Sequence, residues 1–74
     1  MLQKREWLIE ARKEKGLSRA ELGYLTELHE TYIEKIENGS RTPRIPIAMR
    51  IGKALDIAPE IIFEKFFIEQ YRPN

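Results

Sequence analysis

The chain has 74 residues, no cysteine and a formal net charge of +1. This length suits one small domain, residues 1–74, and the lack of cysteine excludes disulfides and thiolate metal sites. The apolar runs, such as Ile61–Phe63, are too short to cross a bilayer, and no apolar segment follows Lys4 and Arg5 as a secretory signal would require. We therefore expect a cytoplasmic protein with no membrane association.

The charges are unevenly distributed along the chain. Residues 20–40 contain five Glu and a single Lys, whereas residues 41–53 contain four cations and no acid. A basic block of this kind suits a polyanionic partner, while the acidic segment before it argues against a uniformly basic surface.

The first half of the chain predicts three helices. The first covers residues 3–15, which lack Gly and Pro, and Gly16 ends it. Ser18 and Glu21 form the pattern of a capping box that starts a second helix, which runs to about Thr26. Its buried residues are expected to be Leu22 and Leu25, and Gly23 would allow a close approach of another helix.

A two-residue turn, Glu27 and Leu28, separates the second helix from a third. The third helix is predicted from His29 or Glu30 to Glu37, with Ile33 and Ile36 facing inward. Asn38 and Gly39 tolerate a left-handed backbone and therefore form a strong stop.

The second half predicts two more helices. Pro46 suits the first turn of the fourth helix, whose inner residues would be Ile47, Ile51, Ala54 and Leu55. Pro59 begins the fifth helix, residues 60–69, in which Ile62, Phe63 and Phe66 are expected to close the core. The predicted fold is all-α with five helices and a helix-turn-helix at helices 2 and 3.

From Ile9 to Phe63 the chain resembles the lambda-repressor/Cro superfamily of helix-turn-helix regulators. The resemblance lies in segments of fixed order and spacing: Arg12 with Lys15–Ser18, Glu21–Leu22, Ile33 with Ile36–Gly39, Arg41 with Pro43, Ile51–Leu55, and Ile62–Phe63. It implies five helices, with the third laid in the DNA major groove. It also implies a partly buried ion pair between Arg12 and Glu37 that fixes the angle of the third helix.

The chain departs from the family pattern at positions that bear on recognition. Arg19 stands where Gln is usual, Glu27 where the turn usually has Gly, and His29 where Ser or Thr usually caps the third helix. Glu30 and Glu34 also make that helix more acidic than most.

The outward residues of the third helix are either an ordinary solvated face or the DNA-reading surface. In the second interpretation Glu30 accepts from cytosine N4, Lys35 donates to guanine and Thr31 touches a thymine methyl group. Tyr32 would lie along the sugar-phosphate chain.

Phosphate contacts are expected on both sides of this helix. His29 is a helix cap, a phosphate contact or a plain surface residue. The basic loop after the third helix either contacts the DNA backbone or is simply exposed to solvent. The candidates for DNA backbone contacts are Ser18, Arg19, His29, Tyr32, Asn38, Ser40, Arg41 and Arg44.

The fifth helix has more apolar residues than one buried face needs. The surplus residues either pack within the domain, against Trp7, Ile9 and Met49, or form a homodimer seam. The seam candidates are Ile61, Phe67, Ile68 and Tyr71.

The favoured function is sequence-specific binding of double-stranded DNA by a prokaryotic transcriptional regulator, a repressor that acts by occupying an operator. The alternative is a protein-interaction module on the same fold, similar to an antitoxin or an anti-repressor. An enzyme is not expected, because no phosphate-binding Gly loop or recognisable carboxylate pair is present, and one His without Cys makes a poor metal site. No cofactor, metal or small-molecule effector is expected.

Overall fold

The structure, a computed structural model, describes residues 3–69. Within that range it contains five α-helices and no strand, which confirms the predicted all-α fold. The helices are α1 (Glu6–Glu14), α2 (Arg19–Thr26), α3 (Glu30–Asn38), α4 (Ile45–Ala54) and α5 (Pro59–Phe63), followed by a π-helical segment, Glu64–Ile68. The chain falls into two compact units, the first ending at Thr42 and the second beginning at Pro43.

Helix α1 begins three residues later than predicted. The backbone N–H of Arg5 donates to the carbonyl of Glu37 at 2.6 Å, so residues 3–5 run along the end of α3 instead of forming a helical turn. At the other end Gly16 has φ 71°, and the N–H of Leu17 returns to the carbonyl of Arg12 at 3.1 Å. This left-handed glycine stops the helix as the sequence predicts.

Helix α2 begins with the predicted capping box. The Ser18 hydroxyl accepts from the N–H of Glu21 at 3.0 Å, and the Ser18 N–H donates to the Glu21 carboxylate at 2.8 Å. The prediction that Leu25 is buried is wrong, because its side chain is 55% exposed. Thr26 is buried in the next position, where its hydroxyl is paired because it donates to the carbonyl of Leu22 at 2.7 Å.

The turn between α2 and α3 places a non-glycine residue in a left-handed conformation. Glu27 has φ 61° and ψ 38°, and the N–H of Leu28 closes the turn on the carbonyl of Gly23 at 2.8 Å. A Cβ atom at Gly23 would lie 2.4 Å from the Leu28 carbonyl oxygen. The absence of a side chain at Gly23 therefore permits the close approach predicted there.

Each of the two units has its own set of buried apolar residues. In the first unit these residues come from α1, α2 and α3: Leu8, Leu22, Ile33 and Ile36. In the second unit they come from α4, the following connection, α5 and the π-helical segment: Ala48, Ile51, Leu55, Ile62 and Phe66. Ile47 and Ala54, predicted to face inward, are only partly buried.

The C-terminal helix differs from the single helix predicted over residues 60–69. The α-helix ends at Phe63 and a π-helical segment follows it. Ile62 and Phe66 are fully buried, but Phe63 is 41% exposed, so its predicted role in closing the core is wrong. Phe63 follows Ile62 by one residue and projects about 100° away from it around the helix. Its ring instead packs on Phe67, with centroids 5.3 Å apart.

We predict that Leu22 and Leu25 differ sharply in their contributions to stability. Leu22→Ala removes a fully buried side chain and should lower the free energy of unfolding by about 2–5 kcal/mol. Leu25→Ala, on the same helix, should change it by no more than about 0.5 kcal/mol. Urea unfolding followed by far-UV circular dichroism measures both. Equal losses would contradict the outward orientation of Leu25.

Candidate nucleic-acid interface

Helix α3 divides into a buried side and an exposed side. Ile33, Ile36 and Glu37 are buried. The exposed residues recur at helical spacing and share one face: Glu30, Thr31, Glu34 and Lys35. The three side chains predicted to contact bases therefore lie together on the solvent side of one helix, and Tyr32 beside them is half-buried.

His29 acts as the N-cap of α3. Its Nδ1 atom accepts a hydrogen bond from the backbone N–H of Thr31 at 3.0 Å, and its backbone is extended, with φ −70° and ψ 146°. The imidazole therefore does what a Ser or Thr hydroxyl does at other helix starts, namely satisfy one of the free N–H groups of the first turn.

Glu37 holds the other end of α3 through a buried ion pair. Arg12 Nε donates to Glu37 Oε2 at 2.6 Å, and Arg12 Nη2 donates to Oε1 at 3.3 Å. The Glu37 side chain is 1% exposed and that of Arg12 is 8% exposed. Arg12 also donates to the carbonyl of Leu17 at 2.9 Å, so one guanidinium connects α1, the start of α2 and α3.

Arg19 is a second partner of Glu37 that the sequence did not reveal. Its Nε atom donates to Glu37 Oε1 at 2.9 Å, and its side chain remains 45% exposed. Arg19, which the sequence predicts as a phosphate contact, thus donates to the buried carboxylate while a large part of its side chain remains in solvent. The two residues are 18 positions apart, and no local pattern indicates their contact.

The loop after α3 is organised by its own polar groups. Asn38 Oδ1 accepts from the N–H of Ser40 at 2.9 Å, and the Ser40 hydroxyl donates to the carbonyl of Lys35 at 3.3 Å. The backbone N–H groups of Ser40 and Arg41 donate to the same carbonyl, at 3.0 and 3.2 Å. Asn38 and Ser40, predicted to contact DNA, therefore shape the loop, while the Arg41 side chain is exposed.

Arg5 is a buried cation that the sequence analysis did not single out. Its Nη1 atom donates to the carbonyls of Ile36 at 2.6 Å and Arg41 at 2.9 Å, and its Nη2 atom donates to Thr42 Oγ1 at 2.9 Å. The residue is 4% exposed, and burial lowers the pKa of its guanidinium below the ordinary value for arginine. Its partners lie 31 to 37 residues away along the chain, so no local signal could have identified it.

The family model described as helix-turn-helix matches residues 8–62, which is more than half of the chain and includes parts of both units. The chain belongs to the helix-turn-helix family. This lambda-repressor-like family consists of DNA-binding transcriptional regulators and is not a class of enzymes.

Two relatives extend the comparison of this helix-turn-helix protein. It is 35% identical over 60 residues to the uncharacterized HTH-type transcriptional regulator YqaF of Bacillus subtilis (strain 168), covering 81% of this chain and 79% of that protein. It is also similar to the crystal structure of the restriction-modification controller protein C.AhdI from Aeromonas hydrophila. That match has a TM-score of 0.73 and 34% identity and covers 80% of this chain and 86% of the other.

The other residues of the helix-turn-helix protein that were expected to contact the DNA backbone or to form the dimer seam differ in exposure. Ser18 is exposed and its hydroxyl is engaged in the capping box, while Arg44 is exposed at the start of α4. Ile61 is 47% exposed and Ile68 is 55% exposed, so the alternative in which both are buried within the domain is wrong. Phe67 is partly exposed, and Tyr71 lies outside the described residues.

Residues 3–69 of this helix-turn-helix protein contain neither a metal-binding cluster nor a membrane-spanning helix. No group of three or more His, Asp or Glu side chains in that range could hold a metal ion. None of the helices there is both long enough and apolar enough to traverse a lipid bilayer.

We predict that the Glu37 carboxylate is needed for stability, whereas the neighbouring Glu34 is not. Glu37→Gln leaves the buried Arg12 without its counter-charge, and breaking such a pair typically costs about 3–5 kcal/mol. Glu34→Gln makes the same chemical change on the exposed face of the same helix and should alter stability by less than about 0.5 kcal/mol. Thermal and urea unfolding measure the difference, and an unchanged Glu37→Gln protein would show that the ion pair has no structural role.

Proposed function

We propose that this helix-turn-helix regulator binds a specific double-stranded DNA sequence and represses transcription by occupying an operator. The observation that supports this most directly is the exposed face of α3, where Glu30, Thr31 and Lys35 lie together on a helix anchored at both ends. His29 caps its start and the Glu37 ion pairs hold its end. A short, fixed, polar helix face is what the major groove admits.

The three side chains offer different base contacts. Lys35 can donate to guanine O6 or N7, Glu30 can accept from cytosine N4, and the Thr31 methyl group can touch a thymine methyl. Tyr32, which is half-buried, presents part of its ring beside them and would lie along the sugar-phosphate chain.

Phosphate contacts would come from residues that precede and follow α3 in the sequence. Arg41 and Arg44 follow α3, and Arg19 is half-exposed at the start of α2. Backbone contacts supply most of the affinity of such proteins, while base-contacting residues need not be basic. Glu30 and Glu34 repel phosphates, so binding to non-specific DNA should be weak and the sequence requirement strong. Polar groups at Ser18, His29, Asn38 and Ser40 complete the proposed set.

We further propose that the protein binds DNA as a homodimer. Ile61 and Ile68 expose apolar surface, and Phe67 next to them is partly exposed. A second copy would cover these residues together with Tyr71, and dimers of such DNA-binding proteins commonly bind two half-sites about 34 Å apart. In this proposal residues 1–74 act as one DNA-binding domain in a bacterial cytoplasm, without a small-molecule effector.

The alternative function is a protein-interaction module on the same fold. An apolar surface on and just before α2 favours it, because Tyr24 is 85% exposed and Leu25 is 55% exposed. Leu17 and Ala20 line the same shallow hollow. If selection from a random duplex library enriches no sequence, the interaction module becomes the better explanation.

We predict that Lys35 and Arg41 have separable roles on an operator obtained by that selection. Lys35→Ala should relax specificity at one base position, with a penalty of about 1–3 kcal/mol on the preferred sequence. Arg41→Ala should weaken binding to all sequences and reduce the slope of log affinity against log salt by about 0.9. Titrations at several salt concentrations, on the operator and on single-base variants, measure both. If the two substitutions have the same effect, the proposed division of roles is wrong.

We predict that the free protein is dimeric at tens of micromolar and that Ile68→Glu makes it monomeric. The substitution places a charge in the proposed apolar seam, where it would lose its hydration. Leu25→Glu is a matched control, because Leu25 and Ile68 are both 55% exposed in the folded chain. Sedimentation equilibrium should show that only the Ile68 variant dissociates. A wild-type protein that is monomeric without DNA would contradict the free dimer.

A further inference from the structure

We infer that residues 3–5, named here the N-terminal strap, position the loop through which the protein contacts the DNA backbone, and that Arg5 is the positioning residue of this strap. The inference rests on the proposed function, because the loop in question, residues 39–42, carries Arg41. It assigns a role in DNA binding to a residue that does not itself reach solvent, since Arg5 is 4% exposed.

The Arg5 guanidinium connects the two ends of the loop. One acceptor is the carbonyl of Ile36 in the last turn of α3, and the other two belong to Arg41 and Thr42 at the far end. All three distances are between 2.6 and 2.9 Å. A planar guanidinium presents its donors in a fixed fork, so these bonds together define where the Arg41 backbone lies relative to α3.

The backbone of the strap is fixed on the same end of α3. The Arg5 N–H donates to the carbonyl of Glu37 at 2.6 Å, and a Cβ atom at Gly39 would lie 2.2 Å from the carbonyl oxygen of Gln3. Gly39 also has φ 88°, a left-handed conformation. The loop therefore begins at a glycine that both turns the chain and leaves room for the strap to cross it.

The charge of Arg5 suits this position. The C-terminal carbonyls of a helix carry partial negative charge, which would repel phosphates approaching the neighbouring loop. A buried guanidinium bonded to one of these carbonyls offsets that charge without occupying the surface that the DNA would touch. The strap thus both shapes the loop and makes its surroundings more favourable for a phosphate.

The test compares Arg5→Gln with Lys4→Gln, which removes the same charge from an exposed position of the same strap. On the selected operator, Arg5→Gln should reduce affinity at least as much as Arg41→Ala and should lower the salt slope by about 0.9. Lys4→Gln should leave that slope unchanged. Arg5→Lys keeps the charge but not the fork, and it should behave like Arg5→Gln.

A double-mutant cycle separates positioning from a general loss of structure. The double variant Arg5→Gln with Arg41→Ala should bind the operator only slightly more weakly than either single variant. In the double variant Arg5→Gln with Lys35→Ala, the two fold-losses of affinity should multiply to within about twofold. Equal coupling to Arg41 and Lys35, a salt slope that Arg5→Gln leaves unchanged, or full activity of Arg5→Lys would each overturn the inference.

Amide hydrogen exchange without DNA gives a readout independent of the proposed function. Arg5→Gln should accelerate exchange at Ser40 and Arg41, whose N–H groups bond the Lys35 carbonyl, and leave Leu22 in α2 unchanged. Unchanged protection at Ser40 and Arg41 would overturn the strap. If the wild type binds no duplex while these amides respond as expected, the DNA function fails and the role of Arg5 in shaping the loop stands.

A milder variant covers the case in which Arg5→Gln does not fold. Thr42→Val replaces an exposed residue with one of nearly the same shape and removes only the acceptor for Arg5 Nη2. Thr42→Val should accelerate exchange at the Ser40 and Arg41 amides less strongly than Arg5→Gln does. It should also reduce affinity by less, and that loss should again be non-additive with Arg41→Ala. No response in either measurement would contradict the inference.

Discussion

The buried carboxylate of Glu37 is the constraint on which the first unit depends. A carboxylate at 1% exposure is strongly unfavourable unless it is paired, and its two oxygens receive donors from Arg12 and Arg19. One charge therefore ties α3 to α1 and to the start of α2. Such an arrangement adds little net stability compared with apolar packing, but it fixes geometry, because departures from it leave a buried ion without a partner.

The ion pairs of Glu37 also bear on the proposal that an acidic helix contacts DNA. Of the three glutamates on α3, Glu37 is neutralised inside the protein, and only Glu30 and Glu34 remain on the exposed face. The count of charges along the sequence therefore overstates the repulsion that a phosphate would meet. Arg19, in turn, divides its side chain between Glu37 and solvent, so the fold itself sets its position.

The two ends of α3 are held by different chemistry. At the start a side chain, the His29 imidazole, satisfies a backbone donor, whereas at the end a distant guanidinium, that of Arg5, satisfies a backbone acceptor. Both partners act on groups that a helix leaves unpaired at its termini. The Lys35 carbonyl adds a third connection, since it accepts from the Ser40 and Arg41 N–H groups as well as from the Ser40 hydroxyl. Helix and loop are consequently one continuous hydrogen-bonded structure.

Local chemistry determined much of this protein from the sequence alone. The capping box at Ser18, the glycine stops, the apolar spacing and the prolines at the start of the last two helices predicted the five helices, since these signals act over a few residues. The outward face with Glu30, Thr31 and Lys35 followed from the same spacing. Only the tertiary structure decided that Leu25 and Phe63 are exposed, that Arg19 joins Glu37 and that Arg5 spans the loop after α3. The contacts of Arg19 and Arg5 depend on which groups meet across 18 to 37 residues, and burial, not local preference, selects the partner.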